Sequence, residues 1–205
     1  ERVEDDRFLT GQGCYLDDMV FENTTHVVFL RSTVAHAKIK NINIEMALKI
    51  PGVLSVYTSA DLEEDGLSSL PTLAHEWIEL FQADGSPSFN PDRPLLSKEK
   101  VRYVGEAVVM VIAETEDIAK DAAEKIEIDY DIYDAVIDTE VAHDPAQPQL
   151  FDITDNNTSF LYRTGNPEVV ENIFENADHI VTRKLVNNRV IVNPLEARGA
   201  VGQYN

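Results

Sequence analysis

A single cysteine, Cys14, stands among 205 residues. No intramolecular disulfide can form, and no thiolate-held zinc or iron–sulfur cluster can be built from this chain alone. That usage fits a reducing compartment, and the chain reads as cytoplasmic. Basic residues are also scarce: 17 Lys and Arg stand against 37 Asp and Glu, a net charge of −20. Such a surface repels phosphate backbones and anionic lipid headgroups, so the expectation is no nucleic acid and no membrane partner. No apolar run is long enough to cross a bilayer, and no basic-then-apolar leader opens the chain. What remains is ordinary for a globular domain, with 43% hydrophobic and 26% charged residues, enough to build a core. The chain starts at Glu1 rather than Met and stops at Asn205 straight after a strand-like segment. Both ends therefore read as cuts or as the edges of a processed subunit.

Residues 1–24 are polar and turn-rich. His26–Leu30 reads as a buried strand, and Ala37–Ile44 as a second one. Asn43 is placed to cap a short helix holding Met46, Ala47 and Leu48, which Pro51-Gly52 stops. Val53–Tyr57 reads as a strand, and Ser59 as the cap of a turn at Ala60–Leu62. Residues 63–100 break the pattern with recurring Pro and Gly around one apolar island, Trp77–Phe81, a helical turn or an edge strand. A loop of that length is a variable surface insertion, or a functional, mobile or partner-covering segment. Val101–Ala113 is an almost continuous apolar run interrupted by Gly105, as a bulge or close backbone approach requires. Thr115 caps a helix with Ile118, Ala119, Ala122 and Ala123 on its apolar stripe, and Ile126–Tyr130 alternates like a half-buried strand. This order predicts a βαβ unit. Residues 139–157, acidic and proline-bearing, form the candidate boundary. Beyond it come a short strand at Ser159–Tyr162, a helix opened by Asn166-Pro167, and two strands at Ile180–Val192 and Arg198–Tyr204.

Residues that invite a chemical role have plainer readings beside them. Gly11-Gln12-Gly13 lacks the preceding strand and third glycine of a dinucleotide fingerprint and reads as a tight turn. His26, His36, His75, His143 and His179 show no metal-ligand spacing, and His36 reads as a hydrogen-bonded structural residue. Asp17-Asp18 reads as a turn-forming pair rather than an acid/base pair. Arg31 reads as gripping carbonyls or a carboxylate, Cys14 as a small buried apolar residue, and Glu196 as either a buried ion pair near Arg198 or a solvated turn acid.

Several segments together resemble one family. Arg2–Asp18, Phe29–Ala37 with its Arg31-Ser32 and His36-Ala37 pairs, Pro51–Leu62, Leu70–Leu73, Lys100–Ala107, Glu127–Tyr130 and Asn187–Arg198 follow the large subunit of the xanthine dehydrogenase, aldehyde oxidase and carbon monoxide dehydrogenase family in order. Leu70–Leu73 leans towards the carbon monoxide dehydrogenase branch. The resemblance implies an α+β fold: an N-terminal arm over residues 1–14, an α/β hammerhead domain over 15–140, and the truncated start of the first molybdenum-cofactor (molybdopterin) domain over 150–205. It implies an oxidoreductase that hydroxylates an aldehyde or N-heterocycle, or oxidises CO, with water-derived oxygen. Molybdopterin belongs to the full-length subunit, with 2Fe-2S clusters and FAD on partner subunits or domains. The partners implied are the rest of the molybdenum subunit and the iron–sulfur and FAD subunits. The family's molybdenum-facing glutamine, cofactor loops and catalytic glutamate fall beyond Asn205. No catalytic, cofactor-binding or metal residue is therefore assigned here, and this stretch by itself is expected to be inactive. The other reading is a natural non-catalytic subunit or assembly module that docks a molybdenum-binding partner.

Overall fold

The structure is a computed structural model. It describes residues 3–19, 21–71, 79–82, 84–91, 93–188, 190–194 and 196–204. Glu1, Arg2, Leu73, His75, Trp77 and Asn205, all named above, lie outside the described residues. Contacts divide the chain into two units, residues 25–164 and residues 1–24 with 165–205.

The 25–164 unit holds two three-stranded sheets. In the first, β1 (His26–Arg31) and β3 (Val53–Tyr57) flank β5 (Ala107–Ala113), and both pairings are antiparallel. Val108, Val109, Val111 and Ala113 have no exposed surface, which is why β5 is written as an apolar run rather than an alternation. The helix α3 (Glu116–Ala123) lies against β1 and β5 and buries Ala119, Ala122 and Ala123. Its three small side chains allow the close approach, and the Thr115 hydroxyl accepts from the Ile118 N–H at 3.2 Å as the expected cap. In the second sheet, β2 (Ala37–Asn43) pairs antiparallel with β4 (Lys100–Val101) and β6 (Glu127–Ile132).

The expected βαβ unit does not form. β5 and β6 enclose α3 in sequence but belong to different sheets. Both edges of β5 are already taken by β1 and β3, so β6 carries its half-buried alternation to β2 instead. The run Val101–Ala113 is likewise not one strand. β4 ends at Val101, the chain turns through Gly105 at φ +92°, and β5 starts at Ala107 in the other sheet. The cap near residue 59 is also displaced by one residue. α2 (Ser59–Glu64) is capped by Thr58, whose backbone N–H and hydroxyl donate to Asp61 Oδ2 at 2.6 and 2.7 Å. Asn43 Oδ1 accepts from the Glu45 N–H at 3.1 Å ahead of a 3-10 turn at Ala47–Lys49.

The expected strand at Ser159–Tyr162 is absent, although Ser159 and Leu161 hydrogen-bond the backbone of Phe89 and Phe81. Of the island before it, Phe81 makes a single bridge with Pro87. The insertion ends inward: Leu96 and Ser97 are buried, and the Ser97 N–H donates to the Ala107 carbonyl at 2.8 Å.

The other unit contains α1 (Asp5–Leu9), which the sequence reading missed. Gly11, at φ +71°, follows the helix, and the Gln12 N–H returns to the Arg7 carbonyl at 2.8 Å. A 3-10 turn spans Leu16–Asp18. α4 (Pro167–Glu175) starts as expected, with Asn166 Oδ1 accepting from the Val169 N–H at 3.2 Å and proline in the first turn. The strands expected at 180–192 and 198–204 are not formed among the described residues. The pattern is apolar enough for strands, but a strand exists only with a neighbour to receive its N–H and C=O groups. Leu185, Ile191 and Val192 are instead almost fully exposed. No helix among the described residues is long and apolar enough to cross a membrane.

Candidate functional site

Three of the sequence blocks singled out above meet where β1 passes to β2 and β4 passes to β5. The Ser32 N–H donates to the Glu106 carbonyl, and the Gly105 N–H donates back to the Ser32 carbonyl, both at 2.8 Å. Arg31 Nη1 donates to the Gly105 carbonyl at 2.9 Å, so the guanidinium holds a backbone carbonyl, one of the two structural roles expected for it. The Ser32 hydroxyl donates to the Val34 carbonyl at 2.7 Å and shapes the turn that delivers His36. The carboxylate of Glu106, only 8% exposed, accepts from the Arg102 N–H and locks the β4–β5 turn from inside. From β6, Tyr130 reaches the same region, and burial pushes its hydroxyl above the ordinary tyrosine range, with Ser32 opposing.

His36 lies beside this junction, at the floor of an open pocket of about 480 Å³ lined also by Lys100, Tyr133, Gln147, Gln149 and Asp152. The imidazole is 3% exposed. Its Nδ1 lies 3.0 Å from the Asp134 carbonyl oxygen, and the ring meets Tyr133 edge-on with centroids 5.1 Å apart. A carbonyl only accepts, so Nδ1 carries the proton. Nε2 is buried and has no hydrogen-bond partner among the described residues. Lys100 Nζ holds both oxygens of Asp152 at 2.6 and 2.7 Å. That contact, by hydrogen bond first and charge second, keeps the Asp152 carboxyl below its ordinary range.

The wall over residues 142–152 is fixed from behind. The Asn157 side-chain amide donates to the Ala142 and Pro148 carbonyls at 3.1 and 2.9 Å, and its oxygen accepts from the Leu150 N–H at 2.9 Å. Arg102 Nε donates to the Leu150 carbonyl at 3.0 Å, while its guanidinium lies 4.4 Å from the Phe151 ring centroid.

The other residues weighed from sequence take structural places. Cys14 is exposed rather than buried, with its thiol 3.7 Å from the Tyr15 carbonyl. It lies in the short connecting stretch between α1 and the 3-10 turn at Leu16–Asp18. Asp18 accepts from the Tyr15 N–H at 2.9 Å, the turn-forming role expected of the Asp17-Asp18 pair. Glu196 is exposed, not in a buried ion pair, and its carboxylate accepts from the Leu16 N–H at 2.8 Å. His26, His143 and His179 are exposed. No group of three or more His, Cys, Asp or Glu among the described residues can hold a metal ion. Sequence reasoning passed over Glu106, although a charge inside an otherwise apolar run was a readable cue. It also passed over Lys100 with Asp152, which are 52 positions apart and carry no local cue.

The model of the aldehyde oxidase and xanthine dehydrogenase a/b hammerhead domain matches residues 10–134. The large subunit of nicotine 6-hydroxylase from Paenarthrobacter nicotinovorans is 35% identical over 205 residues, covering 99% of this chain and 23% of that protein. The carbon monoxide dehydrogenase large chain of Hydrogenophaga pseudoflava is 31% identical over 214 residues, covering 98% of this chain and 25% of that one. Among solved structures, the Cu,Mo-CO dehydrogenase in its carbon monoxide-reduced state superposes with a TM-score of 0.70 at 32% identity, over 87% of this chain and 22% of that chain. This chain thus spans about a quarter of the length of the relatives it matches.

Proposed function

The chain belongs to the aldehyde oxidase and xanthine dehydrogenase family, and from that membership we propose that it is the hammerhead-bearing scaffold of the large subunit of a molybdenum hydroxylase. The reaction class is oxidation of an aldehyde, an N-heterocycle or carbon monoxide with oxygen from water. The observation that carries this reading is the likeness to the nicotine 6-hydroxylase large subunit along 99% of the chain. The junction at Ser32, Gly105 and Glu106 supports it, since segments that resemble the family are the ones that tie the two sheets together.

The described residues do not themselves fit a metal centre, since they bring together no ligand set. The molybdenum cofactor is placed on the remainder of the subunit, and the 2Fe-2S clusters and FAD on partner subunits or domains. On this reading residues 15–140 make the hammerhead and residues 150–205 open the following domain. The half-exposed apolar face of α4, with Val170 49% and Phe174 55% exposed, supports cover by further polypeptide. The role of this chain is then positional: a rigid two-sheet body that holds the cofactor domains in register.

Purifying the native assembly through a tag on this chain tests the reading. Metal analysis and mass spectrometry are expected to find molybdenum, iron and a flavin-bearing partner in fixed proportion to the chain. A pure, metal-free assembly would overturn it.

A further inference from the structure

We propose that the open edge of β6 takes an extended segment of a separate polypeptide as one more antiparallel strand, with Lys or Arg alternating with apolar residues along it. The inference stands on this edge alone and does not depend on which reaction the assembly performs.

The backbone offers the ladder. Among the described residues β6 pairs on one side only, with β2. Just past its end, the Tyr133 N–H donates to the His36 carbonyl at 2.9 Å, on the β2 side. Main-chain groups alternate sides along a strand, so those of Glu127, Asp129 and Asp131 also turn to β2. Those of Ile128, Tyr130 and Ile132 turn away, towards the open edge. The partner strand agrees: Ile39, opposite Tyr130, sends its N–H to the Glu99 carbonyl at 2.8 Å and not to β6. The edge thus presents N–H and C=O groups at the spacing that an added strand needs. The strand pairings of this unit are antiparallel, and that ladder is slightly the more stable one.

Side chains select the occupant. Glu127, Asp129 and Asp131 are exposed on one face of β6, and none of them is in an ion pair among the described residues. Opposite them on β2 stand Asn43, Asn41 and Lys38, so one cation faces three carboxylates. A second copy of β6 would set acids beside acids, whereas a row of Lys or Arg would set opposite charges directly across. The other face of β6 is apolar. Ile128 and Tyr130 pack against the core, but Ile132, on the same face, is 68% exposed. An incoming apolar residue beside Ile132 extends the core and removes that surface from water. Basic residues on one face and apolar residues on the other are the alternation that both rows demand.

The probe is a fluorescent synthetic peptide alternating lysine and valine, added to the native assembly and followed by anisotropy. Saturable binding at one site per chain, weakened by salt, is expected. Valine lies across from Ile128, Tyr130 and Ile132, so its amide faces the edge, while the lysine amides point away. N-methylation of the valine amides is therefore expected to weaken binding at least about tenfold, and of the lysine amides less than about twofold. Asp129→Lys combined with Asp131→Lys, both exposed, is expected to abolish binding of this peptide and admit one alternating glutamate and valine. No saturable binding, binding that survives valine methylation, or an affinity unchanged by the double substitution would overturn the proposal. The methylated peptides leave the protein unaltered, so they decide even if the double variant does not fold.

Discussion

Gly52 packs directly against Ile118: a Cβ built on Gly52 would stand 2.8 Å from Ile118 Cδ1. The Gly52 carbonyl also accepts from the Glu114 N–H at 2.9 Å, so the turn before β3 is joined to the start of α3. Gly52 has φ +89°, a region that L side chains rarely adopt. Gly52→Ala meets both penalties and is expected to cost about 2–3 kcal/mol. Gly105 has φ +92° but open space around its Cβ position, so Gly105→Ala is expected to cost only about 1 kcal/mol. Urea denaturation of both variants checks the ordering, and equal losses would show that steric contact with Ile118 is not what fixes Gly52.

The central strand β5 should be the most sensitive part of the 25–164 unit. Val109 is fully buried, and Val109→Ala is expected to destabilise by about 2 kcal/mol through lost contacts and the cavity left behind. Leu54, in edge strand β3, is 51% exposed, and Leu54→Ala is expected to cost under about 0.5 kcal/mol. Thermal midpoints of the two variants measured side by side give the contrast.

A third expectation concerns α3. The Thr115 hydroxyl satisfies the Ile118 N–H, so Thr115→Ala is expected to cost about 1 kcal/mol and Thr115→Ser close to nothing. A denaturant midpoint for Thr115→Ser as low as that of Thr115→Ala would assign the loss to the methyl group instead of the cap.

Acid should weaken the cap of α2. Two donations from Thr58 hold the Asp61 carboxyl below its usual value of 3.8. A depressed folded-state pKa means that the contribution is complete above the usual value and is lost as pH falls through the folded one. The stability gap between the natural chain and Asp61→Asn is therefore expected to hold from neutral pH down to about 5 and to close in stronger acid. Denaturation midpoints across that range measure it, and a gap independent of pH would remove the charge from the explanation.

Much of the fold was readable where a local rule decides the outcome. Val53–Tyr57, the Thr115 and Asn166 caps, and the buried run of β5 needed only propensity and pattern. The failures share one cause, that pairing is not local. The apolar segments at 180–192 and 198–204 are strand-like in composition, but composition does not supply the paired neighbour strand that a strand needs. The strand–helix–strand order of 107–132 suits a parallel unit until β1 and β3 occupy both edges of β5. At the pocket, His36 was visible as a structural histidine, but its unpartnered Nε2 and the pairing of Lys100 with Asp152 depend on how distant loops close.

Metal analysis of residues 1–205 produced on their own, in cells that make the molybdenum cofactor, tests the scaffold claim most directly. The expected result is molybdenum far below one atom per chain, with the metal appearing only when the remainder of the assembly is supplied. One molybdenum per 205-residue chain would contradict it, because the reactive centre would then be built from residues read here as framework.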